Sequence, residues 1–161
     1  MTPAIEMAKK ARIAFQVHEY EHDPAAESYG REAADKLGVD PERVFKTLVV
    51  EAGAGLVVAV APVLRRLDLK LLAKAAGVKK AALADVARVE RVTGYVVGGV
   101  SPLGQKKRLP TYIDASAEAH PTIFVSAGRR GVDIELSPRD LAALTKASFA
   151  PFAPFAPFGG S

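Results

Sequence analysis

Two apolar runs, residues 46–51 (KTLVVE) and 56–61 (LVVAVA), are separated only by Ala52-Gly53-Ala54-Gly55. Rich β-branched content on both sides of a glycine-bearing turn predicts an antiparallel hairpin. Around it, helix and strand signals alternate irregularly. Thr2 caps a helix that Pro3 opens and that runs to about residue 12. Residues 30–37 form a short helix closed by Gly38, and Asp40-Pro41 caps a turn ending near Phe45. Asp68 and Asp85 cap two further helices, the first ended by Gly77 and the second reaching about residue 92. Ser137-Pro138-Arg139-Asp140 opens the last helix with a cap, an N1 proline and an early acid. Strands are expected at 14–20, 95–97, 109–114, 122–126 and 132–136; in the first, Phe15 and Val17 share one face, Gln16, His18 and Tyr20 the other. The fold class is therefore α+β: a single compact domain with a mixed, mostly antiparallel twisted sheet flanked by helices.

A chain of 161 residues, 49% hydrophobic and 25% charged, is ordinary globular material with enough length for one sizeable core. No stretch approaches the roughly 20 apolar residues that span a bilayer, so no membrane role is expected. The first residues read as a helix and not as an export signal. Cysteine is absent, which removes disulfides, thiolate zinc sites and a cysteine nucleophile together. A cytoplasmic location follows as the expectation. The net charge of +4 is modest, but the cations sit in four knots: Arg65-Arg66, Lys79-Lys80, Lys106-Lys107-Arg108 and Arg129-Arg130. Gathered on one face they form a footprint for a polyanion; scattered, they only solubilise.

His18-Glu19-Tyr20-Glu21-His22 matches the H-E-x-x-H zinc pattern letter for letter. That chemistry needs a helix, where residues i and i+4 share a face. Here the run follows alternating apolar residues and stops at Asp23-Pro24. In a strand, histidines four apart lie about 13 Å from one another, so no metal is expected.

Residues 98–111, GGVSPLGQKKRLPT, concentrate three glycines, a Ser-Pro turn and three cations. Glycine lets backbone N–H groups approach a ligand closely, and the cations supply charge for phosphate. The wording closely resembles the signature of the YbaK/EbsC family of aminoacyl-tRNA deacylases. The resemblance continues through the opening MTPA, YEHDP at 20–24, FKTL at 45–48, LDLK at 67–70, TGY at 93–95 and GVDIEL at 131–136, and fades after about Ala147. The cysteinyl-tRNA(Pro) deacylase branch looks closest. The family fold, a compact α+β domain around a twisted sheet like the prolyl-tRNA synthetase editing domain, agrees with the pattern.

Lys46 stands out on physical grounds, because its strand neighbours favour burial. Such a lysine either snorkels to solvent or points its ammonium into a pocket. The resemblance makes Lys46, in its Lys46-Thr47 context, the functionally required residue, orienting a terminal phosphate or the aminoacyl ester. Asp133, between Val132 and Ile134, is either a salt-bridge or turn acceptor or a second catalytic group. Tyr20 is carried over with it as catalytic; Tyr29 offers an aromatic face for a base or a small side chain. Ser126 and Gly128 end a strand and offer hydroxyl and backbone donors, and Gly98, Gly99 and Ser101 are candidates to stabilise an ester oxyanion. Lys106, Lys107 and Arg108 are the expected tRNA contacts.

No G-x-S-x-G elbow and no Ser-His-Asp arrangement is evident. The resemblance supplies a nucleophile: the thiol of the attached cysteine attacks its own ester and releases tRNA, while alanine-specific relatives use water. It implies no cofactor, mischarged tRNA(Pro) as substrate with Cys-tRNA(Cys) as a further candidate, and prolyl-tRNA synthetase as partner. A synthetase pocket built for proline discriminates against similar or smaller side chains by only about 1–3 kcal/mol, so a second hydrolytic site raises fidelity. Two other readings stay open, an RNA- or nucleotide-binding module and a hydrolase of small esters or nucleotides. The deacylase domain is expected at residues 1–147. Residues 148–161, with a Phe-Ala-Pro repeat that places Phe149, Phe152, Phe155 and Phe158 on one polyproline stripe, are expected to be a flexible and dispensable tail.

Overall fold

Short polar side chains start every helix. In the computed structural model, which describes residues 1–26 and 28–155, Thr2 accepts the Ile5 N–H at the head of α1 (Pro3–Ala11), and Ser28 does the same for α2 (Tyr29–Leu37) through Arg31. Asp68, Asp85 and Ser137 cap α3 (Leu69–Ala76), α4 (Val86–Thr93) and α5 (Pro138–Thr145). Each cap satisfies an N–H group that the helix itself cannot bond. Left-handed Gly38, Gly77 and Gly94 end the three middle helices.

Among the described residues, eight strands form two sheets. β1 (Phe15–Glu19) pairs antiparallel with β7 (Val132–Leu136), which pairs antiparallel with β6 (Ile123–Arg129). The second sheet has the order β4 (Ala81–Leu83), β2 (Phe45–Ala52), β3 (Gly55–Pro62), β5 (Thr111–Asp114), β8 (Ser148–Ala150). Its first three strands are antiparallel; β3, β5 and β8 run parallel. The hairpin read from residues 46–61 is its centre, turning at Gly53 and Ala54 with Ala52 opposite Gly55. A single parallel bridge, Val44 to Phe124, links the two sheets.

Strand alternation separates two cores. Phe45, Val49, Val58 and Val60 face Ile123, Val125, Ile134 and Leu136 across the space between the sheets. Val50, Val57, Ala59 and Ala61 point the other way, against Leu72 of α3 and Phe152. Alternation also holds in β1, since His18 joins Asp133 and Ser126 in one cross-strand row while the core takes the opposite face of β7.

Several expectations are corrected. The α+β class holds, but there are two bridged sheets in place of one. Residues 95–97 are loop, because the Tyr95 ring turns inward and its hydroxyl donates to the Leu103 carbonyl at 2.6 Å. The domain does not end at Ala147. β8 adds a strand beside β5, Phe152 is fully buried, and the Asp114 carboxylate accepts the N–H groups of Phe152 (3.0 Å) and Ala153 (2.8 Å). The Phe152 carbonyl accepts the Asp68 N–H at 2.8 Å. No polyproline stripe results, because Phe149 packs into the first core, Phe152 into the second, and Phe155 is 67% exposed; Phe158 lies outside the described residues.

Candidate active site

β4 is shorter than β2 and pairs only with Val50–Ala52, so no strand among the described residues covers the outer edge of Lys46–Leu48. A cavity of about 410 Å³ opens along that edge. The start of α2, the β4–α4 connection, the Gly98 loop and the Asp133 row of β6 and β7 complete its walls. Much of the lining is aliphatic, supplied by residues such as Val49, Leu83 and Val97. The volume falls in the range typical of small-ligand sites.

Lys46, Thr47, Tyr20, Tyr29, Gly98, Ser126 and Asp133 all line this cavity. Lys46 is half-buried and its Nζ donates to the Arg65 carbonyl at 2.9 Å. One of three ammonium protons is thus used, and two remain for a ligand. Burial, then the nearby Arg66 charge, lowers the Lys46 pKa from its ordinary value. Thr47 Oγ1 is buried without a hydrogen-bond partner among the described residues, an arrangement that favours a ligand with a matching polar group.

Asp133 is 6% exposed, and burial pushes its carboxyl up to about 7. Burial, followed by the negative charges of Asp133 and Glu32, pushes the Tyr20 phenol up to about 12. The surroundings of Asp133 and Tyr20 therefore disfavour negative charge and hold Tyr20 as a neutral donor at physiological pH.

Ser126 stands beside Asp133 because of a bulge. The β6–β7 register slips between Ser126 and Arg129, and Gly128 sits there at φ +105° with Ser126 Oγ accepting its N–H at 3.1 Å. A Cβ on Gly128 would lie 2.6 Å from Tyr95 Cε1, so the turn requires glycine. Arg130, just past the bulge, donates through Nε and Nη2 to the Val97 carbonyl and lies 4.8 Å above the Tyr29 ring. It joins the Gly98 loop to α2 across the cavity rim, a role that the sequence, offering only a pair of arginines, did not disclose.

The glycine-rich run does two jobs. Gly98 reaches the cavity at φ +96°, where a Cβ would meet Arg130 Nε at 2.6 Å and Tyr29 Cε2 at 2.8 Å. Gly99, Ser101 and Gly128 are not among the residues that line the cavity. Gly99 donates its N–H to the Val96 carbonyl at 2.8 Å and packs on the Arg129 backbone. Ser101 is fully buried, with Oγ accepting the Leu103 N–H. Gly104 packs on the Pro3 backbone, where a Cβ would come within 2.6 Å. Lys106, Lys107 and Arg108 are exposed and also absent from the cavity wall; the first two donate backbone N–H groups to Thr93 and Val92.

His18 and His22 serve different carboxylates. His18 Nε2 pairs with Glu135 Oε1 at 2.8 Å, and His22 Nδ1 with Glu32 Oε1 at 2.7 Å. Glu135 also binds Arg43, and Glu32 accepts the Asp23 N–H and pairs with Lys36. Among the described residues no cluster of His, Asp or Glu side chains is arranged for a metal ion. The two pairs instead brace the segment carrying Tyr20 on either side.

The aminoacyl-tRNA editing domain family matches residues 23–144, a span containing the Lys46 strand edge, the Gly98 loop and the Asp133 row. The chain belongs to this family and is by class an aminoacyl-tRNA editing protein. EbsC of Enterococcus faecalis, provisionally designated a Cys-tRNA(Pro)/Cys-tRNA(Cys) deacylase, is 42% identical over 153 residues, covering 92% of this chain and 91% of its own. A crystal structure of a hypothetical protein, APE2540, superposes with a TM-score of 0.85 at 28% identity, over 95% of this chain and 100% of that one. A crystal structure provisionally described as a trans-editing enzyme for prolyl-tRNA synthetase gives 0.82 at 25% identity, over 96% and 99% of the two chains.

Proposed function

We propose that this chain acts in trans on mischarged tRNA(Pro) and removes cysteine. The observation that carries the reading is Lys46, a lysine between Phe45 and the Leu48-Val49-Val50 run whose ammonium reaches a cavity edge with two protons unused among the described residues. A surface that only tracks phosphates has no need of such a cavity. The terminal adenosine would enter against Tyr29, and Lys46 would hold its phosphate or ester oxygen, fixing the scissile carbonyl in one pose. Gly98 brings backbone without a Cβ to the same wall, suited to donate to the oxyanion.

The chain has no thiol of its own. In the proposed reaction the substrate cysteine sulfur, losing its proton, attacks the ester carbonyl carbon. A C–S bond forms, the carbonyl–O3′ bond breaks, and the departing ribose oxygen takes a proton. The cyclic cysteine thioester left behind hydrolyses in water. The protein positions the ester and stabilises negative charge, supplying no nucleophile. Prolyl-tRNA synthetase is the partner that would hand over the mischarged product, in the cytoplasm where translation occurs.

Cys-, Ser-, Ala- and Pro-charged tRNA(Pro) offered to the purified protein test the reading. Cys-tRNA(Pro) is expected to be cleaved rapidly. Ser-tRNA(Pro), nearly isosteric but far less nucleophilic, is expected to survive. Comparable Cys and Ser rates would replace thiol attack with water attack, and preferential cleavage of Ala-tRNA(Pro) would make the chain alanine-specific.

A further inference from the structure

Arg65 is where three segments distant in sequence converge. It lies just after β3, in a turn closed by its N–H bonding to the Pro62 carbonyl at 3.1 Å. Its carbonyl accepts the Lys46 ammonium. Its guanidinium reaches outward. Nε and Nη2 both donate to Glu42 Oε1, at 3.0 and 2.6 Å, in the short 3-10 turn that precedes β2. Nη1 donates to the Ala153 carbonyl at 3.3 Å, and the guanidinium carbon lies 5.8 Å from the Phe155 ring centroid. Arg65 does not line the cavity.

The C-terminal end of this link is itself firmly held. Phe152 fills the second core, Asp114 accepts the N–H groups of Phe152 and Ala153, and Asp68 donates to the Phe152 carbonyl. The Ala153 carbonyl is thus fixed against the body of the domain. A guanidinium offers a planar fork that can meet a carboxylate and a carbonyl together, which a lysine cannot reproduce. The turn that carries the Arg65 carbonyl is fixed upstream, where the Val63 N–H donates to the Val44 carbonyl at 2.9 Å, and the Arg65 side chain adds its own ties to Glu42 and Ala153.

We propose that Arg65 is a positioning residue for deacylation: its backbone carbonyl sets the direction of the Lys46 ammonium, and its side chain anchors that carbonyl to Glu42 and the C-terminal segment. The C-terminal residues thereby contribute to the reaction without touching substrate. The proposal rests on the reading of Lys46 as the group that positions the ester. A freed turn lets the ammonium swing toward solvent, so the ester is held less often in its reactive pose while the aromatic and backbone contacts that bind it persist.

Steady-state deacylation of Cys-tRNA(Pro) by Arg65→Gln, Arg65→Lys, Glu42→Gln and Lys46→Ala tests this, with melting temperatures measured alongside. Arg65→Gln and Glu42→Gln, folded, should lower kcat on the order of 10-fold with KM changed far less, as expected when orientation and not binding is lost. Arg65→Lys should restore part of the loss. Glu42→Gln leaves residue 65 intact and decides the matter if Arg65→Gln does not fold. A second readout is the NMR titration of Lys46 in isotopically labelled protein: release into solvent should move its pKa up, toward the ordinary lysine value. Folded variants with wild-type kcat, or a Lys46 titration identical to wild type, would overturn the proposal. Full activity in Lys46→Ala would instead defeat the underlying assignment of Lys46, so the two failures are distinguishable.

Discussion

Ser126 stands directly opposite Asp133 across the β6–β7 ladder, and His18 opposite Asp133 across β1–β7. The row puts a buried carboxyl beside a hydroxyl on the cavity wall, with the carboxyl pushed up to about 7. For an acid whose folded pKa lies above its unfolded value, the native state binds more protons between the two values. Stability is then fully present below about pH 4 and is lost as pH rises to about 7.

Wild-type protein should accordingly lose stability relative to Asp133→Asn between about pH 4 and 7, by at most about 1.4 kcal/mol per pH unit. Above pH 7 the difference should level off. Denaturant midpoints for both proteins across this range check it, and the subtraction removes contributions from Glu32 and Glu135. A constant difference at all pH values would mean that Asp133 titrates normally.

Lys46→Ala should abolish deacylation, on the order of 100-fold or more, with little change in melting temperature. The substitution removes a half-buried ammonium and not core volume. Lys46→Arg should also be poor, since a wide planar guanidinium does not fit where a compact ammonium bonds a carbonyl. Single-turnover rates with charged tRNA decide both.

Phe152→Ala should destabilise the domain by about 3–5 kcal/mol, as deletion of a fully buried aromatic ring does. Phe155→Ala, at an exposed ring that lies under the Arg65 guanidinium, should cost under about 1 kcal/mol. Ending the chain at Ala147 should destabilise at least as strongly as Phe152→Ala, because it also strands the Asp114 carboxylate. Chemical denaturation of the three proteins measures this; a full-stability truncation would mean that these contacts add nothing.

If the exposed Lys106 and Lys107 reach tRNA phosphates, replacing both with alanine should reduce the log–log salt dependence of tRNA binding by about 2. An unchanged slope would show that the tRNA approaches from another side.

Local signals were legible because their causes are local. The caps at Thr2, Asp68, Asp85 and Ser137 and the turn at Gly53 each depend on a few neighbouring residues. Lys46 was legible for the opposite reason, as a charge where its neighbours require burial. Gly98-Gly99 was half legible: only Gly98 meets the cavity, while Gly99 and Gly104 are small so that other backbone can approach. β4 and β8, three residues each, have no periodicity of their own and exist because β2 and β5 offer edges. The Phe-Ala-Pro repeat reads as low complexity, and nothing within it tells that Asp114 and α3 hold a place for Phe152. Arg65 and Arg130 were invisible as links because their partners lie in distant segments.

Among the described residues β1 pairs only with β7, Phe15 lying opposite Leu136 and Glu19 opposite Val132. Of the two, β1 is made first and waits for its partner. Throughout synthesis of the intervening hairpin and helices it has no ladder to join, and this segment carries Tyr20 toward the cavity. Its closure spans most of the chain, the kind of contact that slows folding most. The cavity wall that Tyr20 lines is thus completed only once β7 has been made.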